Sequence, residues 1–511
     1  MRYLCVWALL MLCAVTTCAK DYFVAVDGSD TNDGSIEKPF ATLSKALNTV
    51  TVDGDAIFLR GGTYVVKNED LMQTSDKLWT RAFVLDKKPA SKSKGIVIAG
   101  YQNETAVIDM SGIKPEGKRV QAFYITGRYY HVRNLDVVGV QVTMTAHTQS
   151  ECFRIDGGNY TTIENVRMHD GMGIGVYISK GLGNLVLNCD AYNIDDPVSE
   201  NGKNENTDGF GGHPASSGSK DNVFRGCRAW NCGDDGFDLI SANQAVKIEN
   251  CWAFLNGYRA DGSNSGGNGN GIKAGGYGMG ENPKAPDPVP NHVVVNCISY
   301  GNKAHGFYAN HHLGGIVFVN NSAYRNMSGN FNMLNRKSAE EVVDVPGYGH
   351  VIWNNISLES KRNGDISNVD ESKCCIGNNS FLPDMKIKAA DFESVDVNQL
   401  KAPRKPDGSL PDITFMKPKP GSVPDKYKMG YTYPAGINAE NLWMAEAVIV
   451  VGDGKAIVAG PGAQRFTKFY VNGNAVDFRD GSADLSAYSG EISLKATTGD
   501  GEGSINLIIT R

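Results

Sequence analysis

Ile248-Glu249-Asn250-Cys251-Trp252-Ala253-Phe254 is one copy of a pattern that returns through the middle of the chain. Its Asn-Cys pair aligns with Asn134-Leu135, Asn165-Val166, Asn188-Cys189, Gly226-Cys227, Asn296-Cys297, Asn320-Asn321 and Asn354-Asn355. Two residues before each pair stands an apolar side chain: Val132, Ile163, Val186, Phe224, Ile248, Val294, Phe318 and Ile352. In the later copies a small residue follows, at Ala191, Ala229, Ala253, Ser299, Ala323 and Ser357. The shortest spacings are 23 residues from Val166 to Cys189, and 24 from Cys227 to Cys251 and from Cys297 to Asn321. A unit of that size fits one coil of a parallel β-helix. The longer steps, 38 residues from Cys189 to Cys227 and 46 from Cys251 to Cys297, imply inserted loops. Short alternating runs rich in β-branched and aromatic residues, without helical periodicity, argue against helical repeats. An Asn at each bend can hydrogen-bond the next coil's backbone, so an internal ladder is expected to satisfy the turn amides.

Working outward, Pro39-Phe40-Ala41-Thr42-Leu43-Ser44-Lys45-Ala46-Leu47 reads as a short amphipathic helix capping the open end of the solenoid. From about Lys401 to Pro434 the chain carries seven prolines and is expected to run extended without forming central strands. Beyond it, Ala447–Val451, Lys468–Val471 with an Asn472-Gly473 turn, Ile492–Ala496 and Ile505–Ile509 read as strands of a small β domain. The predicted organisation is a signal peptide over 1–19, a parallel β-helix over 20–435 and a small C-terminal β domain over 436–511, an all-β chain with one capping helix.

The N-terminal segment has Arg2, an apolar run from Tyr3 to Val15 and the small-residue stretch Thr16-Thr17-Cys18-Ala19, the layout of an export signal. Cleavage after Ala19 gives a soluble secreted or periplasmic protein; lipidation of Cys18 gives a surface-tethered one. Both stay open, and no later stretch is apolar enough to span a bilayer. A formal charge of −6 spread over both signs offers no basic field, which argues against nucleic acid. Eight cysteines outside the signal are too few for a disulfide scaffold in a chain of 511 residues. Four of them share one repeat position and should form a ladder of buried thiols. A bridge between Cys227 and Cys232, or one involving Cys374 and Cys375, has no support in the pattern. A monomer is expected.

A second in-phase motif appears as Asp208-Gly209-Phe210-Gly211, Asp235-Gly236-Phe237-Asp238, Asn270-Gly271-Ile272-Lys273 and His305-Gly306-Phe307-Tyr308. Neighbouring parallel strands lie about 4.8 Å apart, so Asp208 should stack on Asp235, and Asp238 should neighbour Lys273. Asp208, Asp234, Asp235 and Asp238 together would repel one another unless a divalent cation or raised pKa values relieved them. Their donors are all oxygen and no His-Cys cluster accompanies them, which favours Ca2+ over zinc. The bland alternative is a solvated acidic turn. Lys273 lies in the Gly-rich stretch 266–276, open to a large ligand. It is the candidate base, although nearby carboxylates favour its charged form, and its bland alternative is an ion pair with Asp238. Lys203, His213, Lys220, Arg228, Arg259, His305, Tyr308, His311 and His312 are further cationic or aromatic residues expected near this face. Of these, His213, Arg228, Arg259, His305 and Tyr308 are candidate substrate contacts.

Asn206-Thr207-Asp208-Gly209-Phe210, Gly226-Cys227-Arg228-Ala229-Trp230, Asp234-Asp235-Gly236-Phe237-Asp238, Glu249–Phe254 and Gly269-Asn270-Gly271-Ile272-Lys273-Ala274-Gly275-Gly276 together resemble polysaccharide lyase family 9. The resemblance covers about residues 20–430. It implies a right-handed parallel β-helix that cleaves acidic plant cell-wall polysaccharide, pectin, by β-elimination. By the same resemblance Asp208, Asp234, Asp235 and Asp238 would hold Ca2+, and Lys273 would take the C5 proton of a galacturonate. Gly211-Gly212-His213-Pro214 stands where a more basic strand would suit homogalacturonan, so rhamnogalacturonan I is a serious candidate beside it.

Two other readings compete with this lyase. Polygalacturonase-type hydrolases also carry Asn-Thr-Asp and Asp-Asp on a parallel β-helix, matched here by Asn206–Asp208 and Asp234-Asp235. They continue with Gly-His-Gly and then Arg-Ile-Lys, whereas here Gly271-Ile272-Lys273 comes first and Ala304-His305-Gly306 later. Inverting hydrolysis would also need a protonated acid opposite a base carboxylate, a role Asp238 does not suggest. A non-catalytic glycan-binding β-solenoid would need no lysine beside a metal.

Overall fold

The computed structural model describes residues 19–50, 54–278, 280, 285–437, 447–460, 462–501 and 503–510. The apolar run of the signal and Cys18 lie outside them. Three parallel sheets of 12, 10 and 10 strands run the length of the solenoid, and through most of each sheet neighbouring strands are three strands apart in sequence. One coil therefore gives one strand to each sheet, which is a parallel β-helix. Among the described residues no helix is long and apolar enough to cross a membrane.

Inward side chains stack coil upon coil. Phe123 lies 4.7 Å from Phe153, Phe210 4.9 Å from Phe237, and Phe307 4.9 Å from Phe331, ring centre to ring centre. Cys189, Cys227, Cys251 and Cys297 are buried and unbridged, and all the other described cysteines are free as well. The thiol ladder formed, and neither the Cys227–Cys232 bridge nor one at Cys374 or Cys375 is present.

The repeating Asn does a different job from the one expected. Asn134, Asn165, Asn188, Asn250, Asn296, Asn320 and Asn354 all have φ between 51° and 57°, and Gly226 replaces them at 65°. The position demands a left-handed bend, which Asn and Gly tolerate best. Several of these side chains turn outward to the C-terminal segment: Asn296 Nδ2 donates to Tyr431 O (3.1 Å) and Asn320 Nδ2 to Lys428 O (2.8 Å). The internal ladders belong to other asparagines. Asn321, Asn355 and Asn379 continue the cysteine position, with Nδ2 to Oδ1 distances of 3.0 and 2.9 Å. Asn256, Asn302, Asn326 and Asn330 form a second stack, each step 2.9 Å.

The capping helix spans Leu43–Thr49, later than its predicted start. Thr42 is extended and its hydroxyl accepts from Lys45 N (3.1 Å), so the cap fixes the first turn there. Phe40 instead bridges Val24. Leu43, Ala46 and Leu47 close the core over Val24, Ile57 and Leu59.

After the last coil the chain doubles back along the outside of the third sheet. Phe392, Leu400, Phe415, Met416 and Met429 bury Trp252, Phe254, Ile298, Tyr324 and Ile356. From Gly436 on, the strands are antiparallel, in two four-stranded sheets around a core of their own. Strands Val448–Gly452, Phe466–Val471, Glu491–Thr498 and Ser504–Thr510 occupy the four runs expected. Asn472 (φ 51°) and Gly473 (φ 80°) close a two-residue hairpin between Val471 and Asn474.

Candidate active site

The second sheet carries the site on its outer face. Strand Phe210–Gly212 pairs with Phe237–Asp238, that strand with Ile272–Lys273, and that one with His305–Tyr308. Phe210, Phe237, Ile272 and Phe307 point into the core. Their successors form an outward row, Gly211, Asp238, Lys273 and Tyr308, and the row extends upstream through Tyr177 to Arg154. At about 4.8 Å per rung, Arg154 to Tyr308 spans roughly 24 Å.

The four aspartates are nearly or fully buried. Each uses its Oδ1 to accept from a backbone N–H. Asp208 takes Asp235 N (3.1 Å), Asp234 takes Asn268 N (2.7 Å), Asp235 takes Asn270 N (2.6 Å), and Asp238 takes Ile240 N (2.7 Å). The backbone thus fixes each carboxylate by one oxygen and leaves the other for a further partner. Ligand atoms of Asp208, Asp234 and Asp235 lie within 4.8 Å of one another. Burial first, then mutual repulsion, pushes the carboxyls of Asp208 and Asp234 well above the ordinary range and raises that of Asp235.

Lys273 Nζ sits 3.0 Å from Asp238 Oδ2 and 3.2 Å from Asp235 Oδ2. Burial alone would lower its pKa, but Asp238, Asp235, Asp234 and Asp208 together hold it well above the usual lysine value. The contact to Asp235 is an ion pair without hydrogen-bond geometry, since buried Asp235 Oδ2 has no hydrogen-bond partner. Three converging buried carboxylates with an orphaned oxygen and all-oxygen chemistry fit a hard divalent cation. Asp238 stands slightly apart from the three, against Lys273.

A groove of about 570 Å3 opens over this floor, lined among others by Arg154, Tyr177, Lys180, Asn206, His213 and Lys273. His213 stacks on Tyr177 (4.4 Å) and its Nδ1 donates to Ile240 O (2.6 Å). Burial lowers its pKa, so the ring is neutral. Arg154 lies over the Tyr177 ring at 4.3 Å and pairs with Glu151 (2.9 Å). Arg154, Tyr177 and Lys180 are absent from the sequence-based candidates: the strand of Arg154 carries no Gly-apolar motif, and in Ile174-Gly175-Val176-Tyr177, which does, an apolar residue stands where Asp208 and Asp235 stand. Counting rungs upstream from Asp238 would have found the first two.

The other candidates scatter. Tyr308 neighbours Lys273 on the row, and His305 binds Asn332 Nδ2 through Nε2 (3.0 Å), with burial lowering its pKa to about 4. Arg228 is on the third sheet, where it pairs with buried Asp190 (2.7 Å) and donates to Leu400 O and Ala402 O beneath the doubled-back segment. That location takes it out of the groove. Arg259 pairs with Asp195 (3.0 Å) and holds the loop at Asn264 and Ser265, also apart from the groove. His312 is fully buried at a corner of the coil, with Nε2 on Pro290 O (3.0 Å).

Residues 22–363 match the family model described as "Pel9A-like, right handed beta helix region". The chain belongs to this family. The match confirms the right-handed helix expected from the resemblance to polysaccharide lyase family 9. Residues 370–507 of this Pel9A-like chain match a second model, "Rhamnogalacturonan lyase-like, C-terminal". Pectate lyase L of Dickeya dadantii is 33% identical over 402 residues, 78% of this chain and 83% of the relative. Among solved structures, a rhamnogalacturonan lyase is 44% identical with a TM-score of 0.77, covering 81% of this chain and 100% of its own. Pectate lyase Pel9A is 29% identical with a TM-score of 0.64, covering 81% and 92%.

Proposed function

We propose that this Pel9A-like chain is an exported polysaccharide lyase that cleaves the rhamnogalacturonan I backbone at O4 of galacturonate by calcium-assisted β-elimination. The observation that carries the reading is Lys273 Nζ, 3.0 Å from Asp238 and 3.2 Å from Asp235, whose carboxylate converges with those of buried Asp208 and Asp234 beneath the groove. Bound by Asp208, Asp234 and Asp235, with Asp238 as a fourth oxygen donor, Ca2+ would bind the uronate carboxylate and acidify its C5–H. Once the carboxylates are neutralised, their hold on Lys273 weakens and burial, which lowers a lysine pKa, prevails. Lys273 then takes the C5 proton, C4=C5 forms, and O4 departs.

Rhamnogalacturonan I is favoured over homogalacturonan by the order of charges along the groove. From the Asp238–Lys273 end the lining passes through neutral His213 and Tyr177 before reaching Arg154 and Lys180. Asp156, Glu205 and Asp208 share that lining, so its cations are separated by neutral and acidic side chains, whereas a run of consecutive carboxylates would call for cations throughout. Support also comes from the 44% identity to a rhamnogalacturonan lyase.

The test is ultraviolet absorbance of the unsaturated uronide during incubation with rhamnogalacturonan I and, separately, polygalacturonate, with calcium or chelator. A calcium-dependent rise on rhamnogalacturonan I, lost in Lys273→Ala, is expected. A rise on polygalacturonate alone reassigns the substrate, and reducing ends without absorbance mean a hydrolase.

A further inference from the structure

β-Elimination has a second proton to place, the one that O4 needs as it leaves. His213 cannot supply it, because its Nδ1–H is bound to Ile240 O and its buried Nε2 is a bare acceptor. His305 is no better placed. Asn332 Oδ1 accepts from Leu334 N, so Asn332 Nδ2 is the donor to His305 Nε2, and the remaining Nδ1–H is buried.

Tyr308 is different. It pairs in register with Lys273 and shares its outward row, one rung of about 4.8 Å away. C5 and C4 are adjacent ring atoms, so groups one rung apart can reach the proton on one and the oxygen on the other. The Tyr308 hydroxyl is 2.9 Å from His311 Nε2, and His311 Nδ1 is 2.6 Å from Asp344 Oδ1. Asp344 is solvent-exposed, its side chain 45% accessible. A hydrogen-bonded chain therefore leads from the rung beside the base to bulk water. Nothing in the proton abstraction uses it.

We propose that Tyr308 is the general acid that protonates the departing O4, with His311 and Asp344 as the positioning residues that reload it from solvent. The proposal rests on the lyase reading above. As Lys273 takes the C5 proton, the C5–H electron pair becomes the C4=C5 double bond and the C4–O4 bond breaks. O4 takes the Tyr308 hydrogen, and the phenolate takes a proton from His311 Nε2. His311 keeps its Nδ1–H on Asp344 and regains a proton from water, while Lys273 releases its own. Burial raises the Tyr308 hydroxyl to about 12, so it enters the reaction protonated.

The experiment compares two substrates in wild type, Tyr308→Phe, His311→Ala, Asp344→Asn and Lys273→Ala with calcium present. One is the natural glycan, and the other is a galacturonide with a nitrophenoxy group at C4, which departs without a proton. Tyr308→Phe should lose about 10²–10³-fold in kcat on the glycan with KM little changed, and recover to within a few-fold of wild type on the activated compound. His311→Ala and Asp344→Asn should follow the same pattern with smaller losses, and Asp344→Asn, at an exposed position, also guards against misfolding. Lys273→Ala should fail on both substrates. Equal loss of Tyr308→Phe on the two substrates, or no loss on the glycan, overturns the proposal while leaving the lyase intact. Absence of unsaturated product from wild type defeats the lyase reading and takes this proposal with it.

Discussion

Two stacks of short polar side chains run through this solenoid, and they come out differently. From Asn256 through Asn302 and Asn326 to Asn330 each amide gives a hydrogen to the next at 2.9 Å a step, and Asn330 ends the run on Ala323 O and Ser357 Oγ. An amide is both donor and acceptor, so a column of them satisfies itself without charge. In Asp208, Asp234, Asp235 and Asp238 the same rung spacing brings together groups that only accept. Backbone N–H groups satisfy one oxygen of each, Lys273 meets two of the others, and the residual charge stays buried. The repeat builds both columns by the same geometry, and only the chemistry of the side chain turns one into a clamp and the other into a site.

The sharpest way to break this contrast is through Lys273. Lys273→Ala should lower lyase activity by about 10²–10⁴-fold, read as loss of ultraviolet-absorbing product at saturating calcium. Activity within tenfold of wild type would mean that the lysine only balances charge. Next, Asn302→Leu removes a donor and acceptor from the middle of the amide stack, leaving Asn256 and Asn326 without their partner. It should cost about 3 kcal/mol in denaturant melts, equally with calcium and with chelator. Calcium dependence of that loss would show that the two columns are coupled.

pH separates the columns too. The carboxyls of Asp208, Asp234 and Asp235 are raised in the folded chain, so the folded state binds protons that the unfolded state, near pKa 3.9, has released. Without calcium, stability should therefore fall as pH rises from about 4 through the raised native values. Saturating calcium should flatten that slope in thermal melts, and an unchanged slope would count against metal binding. The smallest effect is Asp208→Asn, which relieves repulsion and should raise the chelated melting temperature by about 1–2 °C, while weakening calcium stabilisation. A lower melting temperature in chelator would mean that the carboxylates are not frustrated.

Most of this contrast was legible in the sequence, because a solenoid turns spacing into adjacency. Asp208 over Asp235 and Asp238 beside Lys273 needed only the phase of the Gly-apolar motif, and the register bears both out. Long-range packing was not legible. Arg228 sits in the most motif-rich stretch, yet its fate was set by Leu400 and Ala402, more than 170 residues later. The bend asparagines showed their phase but not its cause, since a left-handed φ and a side-chain ladder leave the same mark on a sequence. The upstream groove was invisible for a third reason. Arg154 belongs to an ordinary alternating strand and Tyr177 ends a copy of the motif, Ile174-Gly175-Val176-Tyr177, with no acidic residue in it, so only the outward row that they share with Asp238 gives them meaning.

The column that begins as cysteine and continues as asparagine divides the solenoid mechanically. Up to Cys297 the thiols grip neighbouring carbonyls at 3.2–3.6 Å, while from Asn321 onward the amides lock each coil to the next at 2.9–3.0 Å. Under tension the coils from Asn321 onward, which hold amide steps in this column as well as in the Asn326–Asn330 stack, should part later than coils that this column joins only through thiols. The groove straddles the softer side of that seam, so an enzyme tugged by a polymer anchored in a wall would yield first where the polymer is held.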